Sequence, residues 1–135
     1  MFTLNLASPE KKLVTAQELE EITLPAFSGE LNILPGHAPL MTTMEPGVLK
    51  YRLKNHSEIV KVAISWGYCQ VSPTSVNVLA ENVMLAGEID AKVVANHLRT
   101  QETRLATESL SDVQWTEINR EIGRLRAELN LAHHP

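Results

Sequence analysis

The side chains able to do chemistry are few and scattered. Five histidines, His37, His56, His97, His133 and His134, and one cysteine, Cys69, are the chain's soft nucleophiles and metal ligands. Apart from the adjacent pair at the end of the chain, no histidine has metal-ligand spacing to a second ligand in a fixed element, so no metal site is expected. A P-loop, a dinucleotide-binding glycine pattern, Gly-x-Ser-x-Gly and His-Glu-x-x-His are all absent. Cys69, next to Tyr68 in a strand-like run, reads as a small buried hydrophobe rather than a nucleophile. No catalytic residue, no enzyme activity and no cofactor are expected.

One stretch combines polar side chains with unusual backbone demands: Gly29-Glu30-Leu31-Asn32-Ile33-Leu34-Pro35-Gly36-His37-Ala38-Pro39-Leu40. Pro35 fixes its own φ and keeps Leu34 extended, and Pro39 does the same to Ala38. Gly36 is free to take a positive φ. The expectation is a strand, a rigid turn carrying His37, and a second strand. On residue chemistry alone, His37 either bonds locally to shape the turn or presents a polar contact to a partner.

The elements that position this stretch follow from the punctuation of the chain. At 135 residues, 44% hydrophobic and 21% charged, the composition is that of an ordinary globular chain of one domain, or one small domain with an appendage. The net charge of −4 argues against a nucleic-acid partner. No run approaches the ~20 apolar residues of a membrane span, and Met1-Phe2-Thr3-Leu4-Asn5-Leu6 lacks a basic n-region and an h-region. A single cysteine fits a reducing compartment, so a cytoplasmic location without membrane insertion is expected.

Six of the seven prolines precede residue 74, and five of the six glycines precede residue 88. Glycine and proline punctuate turns, so many short elements are expected first and few long ones after, with the boundary giving parts 1–87 and 88–135. Period-two alternation is clearest at Leu49, Tyr51 and Leu53, interleaved with Lys50, Arg52 and Lys54, and pairs with Val60, Val62 and Ile64 across a turn at Asn55-His56. Separate strands at Lys12–Thr15 and Ile22–Leu24, and others along the same part, bring the expected total to about ten, a β-sandwich or flattened barrel.

The second part has a helical period. Asp90 serves as N-cap of a first helix with Val94, Leu98 and Leu105 on one face, ending near Glu108. Ser111 and Gln114 form a capping box, and Leu110 and Trp115 a hydrophobic staple, for a second helix. Its apolar residues Trp115, Ile118, Ile122, Leu125 and Leu129 make one narrow seam, with Glu117, Arg120, Glu121, Arg124 and Glu128 on the other faces. Two such helices with a short link form an antiparallel hairpin. With each seam buried against the other, the hairpin is expected to be held only weakly on the β-part. Gly123 either permits close packing or bending there or is simply tolerated.

The twelve-residue stretch, with Thr42 and Pro46-Gly47 after it, resembles the signature of the epsilon subunit of F-type ATP synthases, and the resemblance extends over the whole chain. It implies the same architecture, an N-terminal β-sandwich followed by a helical hairpin, in a non-catalytic rotor subunit of the central stalk. The implied partners are the gamma subunit, the c-ring of the membrane sector, and the alpha/beta catalytic head when the hairpin extends and hinders ATP hydrolysis. The implied location is peripheral, on the cytoplasmic face of a bacterial membrane. Glu30, Asn32 and His37 match the loop that faces the ring, and Arg120, Arg124 and Arg126 are the expected contacts of the extended hairpin with acidic segments of the catalytic subunits.

Two departures from the family pattern matter. Asn32 stands where glycine is usual, and asparagine is expected to tolerate a left-handed backbone there. Some bacterial members bind ATP through Ile/Leu-Asp-x-x-Arg-Ala at the start of the first helix. Here Ile89, Asp90 and Lys92 remain, but valine replaces both the arginine and the alanine. The resemblance therefore implies a nucleotide site that no longer functions. The other reading of the chain is a generic β-sandwich module for carbohydrate or peptide. That module needs an aromatic platform, and the chain offers only Phe2, Phe27, Tyr51, Trp66, Tyr68 and Trp115.

Overall fold

The structure, a computed structural model, describes residues 1–27 and 29–135. Its longest strand, β2 (Lys12–Ala26), runs for fifteen residues and touches four others. Its first half pairs with β1 (Thr3–Ala7), Thr3 lying opposite Glu18. Its second half lies between β5 (Gly47–Leu53) and β3 (Gly29–Ile33), so that Ile22 faces both Tyr51 and Ile33. At its end Ala26 meets Met44 of β4 (Leu40–Met44). A strand shared in this way must bend. The inward residues change parity from Val14 to Leu19 and again to Ile22, Leu24 and Ala26. Ala16 takes a φ of 48°, and the register slips between Leu19 and Glu21, the extra residues that a bulge inserts.

This continuity makes nine strands among the described residues rather than ten, because the two segments expected at Lys12–Thr15 and Ile22–Leu24 are one. The acidic run between them is no break. Glu18 and Glu21 point outward and face Lys54 and Arg52 across the ladder, at 3.6 and 3.7 Å.

The remaining strands close the sandwich. β8 (Ser75–Ala80) runs parallel to β1, and β7 (Gly67–Val71) lies between β8 and β4. β6 (Val60–Ile64) lies between β5 and β9 (Val83–Leu85). The core between the layers is apolar, with Leu4, Leu6, Ile22, Leu24, Ile33 and Leu49 fully buried. Cys69 belongs to it, and burial pushes its thiol pKa up to about 12, so the thiol stays protonated and inert.

A 3-10 turn (Ala86–Glu88) leads out of the sandwich. Glu88 accepts from the Leu85 N–H at 2.9 Å and from Lys11 Nζ at 2.8 Å, and the lysine hydrogen bond holds its carboxyl below the usual range. Helix α1 (Ala91–Thr107) then starts at Asp90, whose Oδ1 accepts from the N–H groups of Lys92 and Val93. Helix α2 (Asp112–His133) starts at Ser111, and the capping box with Gln114 is present.

Two expectations about the hairpin change. Trp115 is 55% exposed and does not belong to the seam, which begins one turn later at Ile118. The end of α1 and its C-cap, residues 106–108, are themselves exposed and provide no apolar cover for it. Nor is the seam the only buried face of α2. Ala127 and Leu131 are also buried, on the side where Gly123 meets Pro46 and where the helix packs on β5 and β6. A methyl group on Gly123 would lie 3.1 Å from Pro46 Cγ, so glycine there permits the close approach. Ala63 of β6, which points away from the core strands' inner face, is 2% exposed. Thus α2 lies between the sandwich and α1, whereas α1 packs on α2 and on no strand to a comparable extent.

Two measurements check this account. A methyl group at Gly67 would lie 2.0 Å from the Leu79 carbonyl oxygen and 2.7 Å from Ala80 Cα, both backbone atoms that cannot move without breaking the β7–β8 ladder. Gly67→Ala is expected to cost about 3 kcal/mol or more in urea unfolding, while Gly87→Ala, with open space around it, stays within about 0.5 kcal/mol of wild type. In native-state hydrogen exchange, α1 amides should exchange fastest, α2 amides more slowly, and β2 and β5 amides slowest. Equal protection of α1 and the strands would contradict the layered arrangement.

Candidate functional site

The turn after β3 is built locally. His37 N–H donates to the Leu34 carbonyl, closing a four-residue turn around Pro35 and Gly36, and Gly36 has a φ of 82°. His37 Nδ1–H donates to the Ala38 carbonyl at 2.7 Å. The histidine therefore shapes its turn. That bond occupies Nδ1 alone, and the residue is half-buried.

Asn32 does not need the tolerance expected of it. It lies in β3 opposite Thr23, its φ is not positive, and its Nδ2 donates to Thr23 Oγ1 at 2.8 Å. Glycine is dispensable here because the strand simply continues. Among the described residues, the non-glycine positions with positive φ are Ala16 and Asn55.

Glu30, Asn32 and His37 are not clustered. Glu30 pairs with Pro25 near the start of β3, and His37 follows the strand's other end. At about 3.3 Å per residue, β3 alone separates its ends by more than 10 Å. What the three share is an edge, since β3 is hydrogen-bonded to β2 and, among the described residues, to no other strand. Polar outward residues and Pro35 are the usual protection of such an edge.

Behind Glu30 a polar hollow is lined by Lys50, Lys61, Asn130 and His134. Lys50 and Lys61 are cross-strand neighbours, an arrangement that costs stability unless something negative is near. The negative end of the α2 dipole is near, and Lys61 Nζ donates to the His134 carbonyl at 3.3 Å. The alternating lysines were readable as outward-facing, but nothing local linked them to the end of a helix more than seventy residues later.

Each of the three arginines expected to meet a partner is already paired. Arg126 binds Glu102 of α1 at 3.0 Å. Arg124 lies between Glu121 and Glu128 on its own helix, at 3.1 and 2.7 Å. Glu128, expected on a solvated face, is buried, and its desolvation outweighs the nearby Arg124 and raises its pKa. Glu121 also receives His97 Nε2 at 3.2 Å and Gln101 Nε2 at 3.1 Å, tying α1 to α2. Arg120 pairs with Glu81 in the loop between β8 and β9, and its guanidinium lies 5.2 Å from the centre of the Trp66 ring.

In the remnant of the nucleotide motif, Asp90 caps α1 and Lys92, within the first turn, is exposed. Ile89 is half-buried, and its N–H donates to the Ala86 carbonyl. The motif's acidic residue thus has a structural task that needs no ligand.

Comparison with known proteins adds independent information. Residues 1–86 match the family described as ATP synthase, Delta/Epsilon chain, beta-sandwich domain. The chain is 46% identical over 129 residues to the ATP synthase epsilon chain of Bdellovibrio bacteriovorus, covering 96% of this chain and 92% of that one. It is 34% identical over 128 residues to the ATP synthase epsilon chain of Geobacter sulfurreducens, covering 95% and 91%. In fold it is similar to a chain of the Euglena gracilis mitochondrial ATP synthase, solved as OSCP/F1/c-ring, with a TM-score of 0.83 at 19% identity over 98% of this chain and 81% of that one. With the sandwich, the hairpin and the Gly29–Leu40 stretch all in place, this chain belongs to the ATP synthase delta/epsilon chain family.

Proposed function

We propose that this chain is a non-catalytic subunit of the central stalk of an F-type ATP synthase. In this reading the sandwich joins the gamma subunit to the c-ring, and the hairpin restrains ATP hydrolysis by extending toward the alpha/beta catalytic head. The observation that carries it is the separation of the two parts. Every residue of the apolar core lies in the sandwich, and the hairpin sits outside it on β5 and β6. A body whose core closes without the hairpin keeps its shape when the hairpin leaves. The proposed division, 1–87 and 88–135, falls at the 3-10 turn, where Lys11 and Glu88 anchor the connection.

The ring contact is made along the edge of β3. Glu30 and Asn32 along it and the His37 turn beyond it offer one polar line rather than one loop, suited to a ring that presents the same polar loop repeatedly. Among the described residues no helix is long and apolar enough to cross a membrane. The proposed place is the cytoplasmic face of a bacterial membrane, as a peripheral component. ATP is not a ligand in this reading, because Asp90 is committed to capping and Lys92 is the only cation left in the motif.

Two experiments bear on the two parts separately. Deleting residues 89–135 should raise ATP hydrolysis by the assembled complex severalfold while co-purification with gamma persists. Unchanged hydrolysis would remove the restraining role, and loss of gamma would place assembly in the hairpin. Glu30→Lys should lower ATP-driven proton pumping relative to hydrolysis, with unfolding stability within about 0.5 kcal/mol of wild type. Normal pumping in that variant would remove Glu30 from the ring contact.

A further inference from the structure

Helix α2 meets the sandwich at three points. Its C-terminal end receives Lys61 at the His134 carbonyl, and its middle rests with Gly123 against Pro46. Nearer its start, Arg120 pairs with Glu81 and stacks on Trp66. The apolar part of the contact is made by Ala63, Ala127 and the fully buried Leu131, toward the C-terminal end of α2. Among the described residues, Arg120–Glu81 is the one ion pair between α2 and the strand-bearing part. Trp66 Nε1 is buried with no hydrogen-bond partner, so the ring is positioned by packing, with the guanidinium over it.

The three arginines differ in what happens to their partners if the hairpin lifts as a unit. Arg124 keeps Glu121 and Glu128, which are on α2, and Arg126 keeps Glu102, which is on α1. Arg120 alone loses its partners, because Glu81 and Trp66 remain with the sandwich. We propose that Arg120 is both the latch of the docked hairpin and the cation that release makes available to a carboxylate-bearing partner surface. Docking and partner binding then compete for one guanidinium, and the population of the released hairpin is set by how well Glu81 and Trp66 hold it. This rests on the hairpin's restraining role for its consequence, but the latch itself is a property of the free chain.

The geometry provides a direct probe. A Cβ on Gly123 would lie 3.5 Å from Pro46 Cβ, within the range a disulfide bridges. In a full-length Pro46→Cys/Gly123→Cys chain, the yield of that disulfide in a glutathione buffer measures the effective concentration of the docked state. Native Cys69 is buried and does not interfere. Adding Arg120→Ala should lower the effective concentration about tenfold, and adding Glu81→Ala about fivefold with the difference shrinking in high salt. Arg126→Ala, whose pair travels with the hairpin, should change it less than about twofold. In the assembled complex, without the cysteines, Glu81→Ala should deepen the restraint on hydrolysis because Arg120 is freed, whereas Arg120→Ala should not.

An unchanged effective concentration in both latch variants overturns the latch. Equal hydrolysis in the two variants, each differing from wild type, overturns the exchange of partners. A lowered effective concentration with hydrolysis unchanged in both overturns the restraining role of the hairpin and leaves the latch standing.

Discussion

The structure depends on one strand serving two layers. β2 carries the pairing of β1 at one end and of β3 and β4 at the other, with β5 in the middle. Backbone pairing alone would not let it do so. It needs the bulge region around Ala16 and the slip after Leu19, which rotate the inward side chains so that both halves of the strand feed the same core. Because β2 closes the sandwich through its own backbone, no helix is required to complete the core, and none contributes to it.

That self-sufficiency decides what kind of contact the hairpin can make. The outer face of β5 and β6 is polar apart from small or β-branched groups, and α2 presents glycine, alanine and Leu131 to it. Close approach compensates for the small groups, as Gly123 on Pro46 does. The rest of the attachment is polar and confined to the ends, Arg120 with Glu81 and Lys61 with the last turn of α2. Attachments of this kind are reversible, since solvent can replace each of them at little cost. Within the hairpin the pattern is denser. Ile118, Ile122 and Leu125 are buried, and Glu121 gathers His97, Gln101 and Arg124. Helix α2 is thus held on both sides, by α1 through the seam and by the sandwich through β5 and β6.

Much of the polar edge was legible as chemistry but not as arrangement. The Gly29–Leu40 stretch announced a rigid turn, and the turn is present with Gly36 at positive φ. The strand before it, Gly29–Ile33, was legible as well, but not that it pairs with β2 and lies beside a hollow lined by Lys50, Lys61 and the end of α2. Asn32 looked like a turn residue because of its position in a glycine-rich pattern, yet it is a strand residue bonded to Thr23. Trp115 looked like seam because helical spacing repeats indefinitely, while the neighbouring helix that would cover it does not.

By itself the sequence determined the local features of this protein: alternating strands, the Asp90 and Ser111 caps, the Pro35–Gly36 turn, and the order of sandwich before hairpin. These depend on residues within a few positions of one another, where backbone sterics and short hydrogen bonds act. Only the tertiary structure decided which faces of α2 are buried, that β2 is one strand, and which partners the arginines and lysines have. Those outcomes join Arg120 to a residue 39 positions away and Lys61 to one 73 positions away. Charge and hydrophobicity are short-ranged in space and carry no label of distance along the chain, so such pairs exist only once the fold has brought them together.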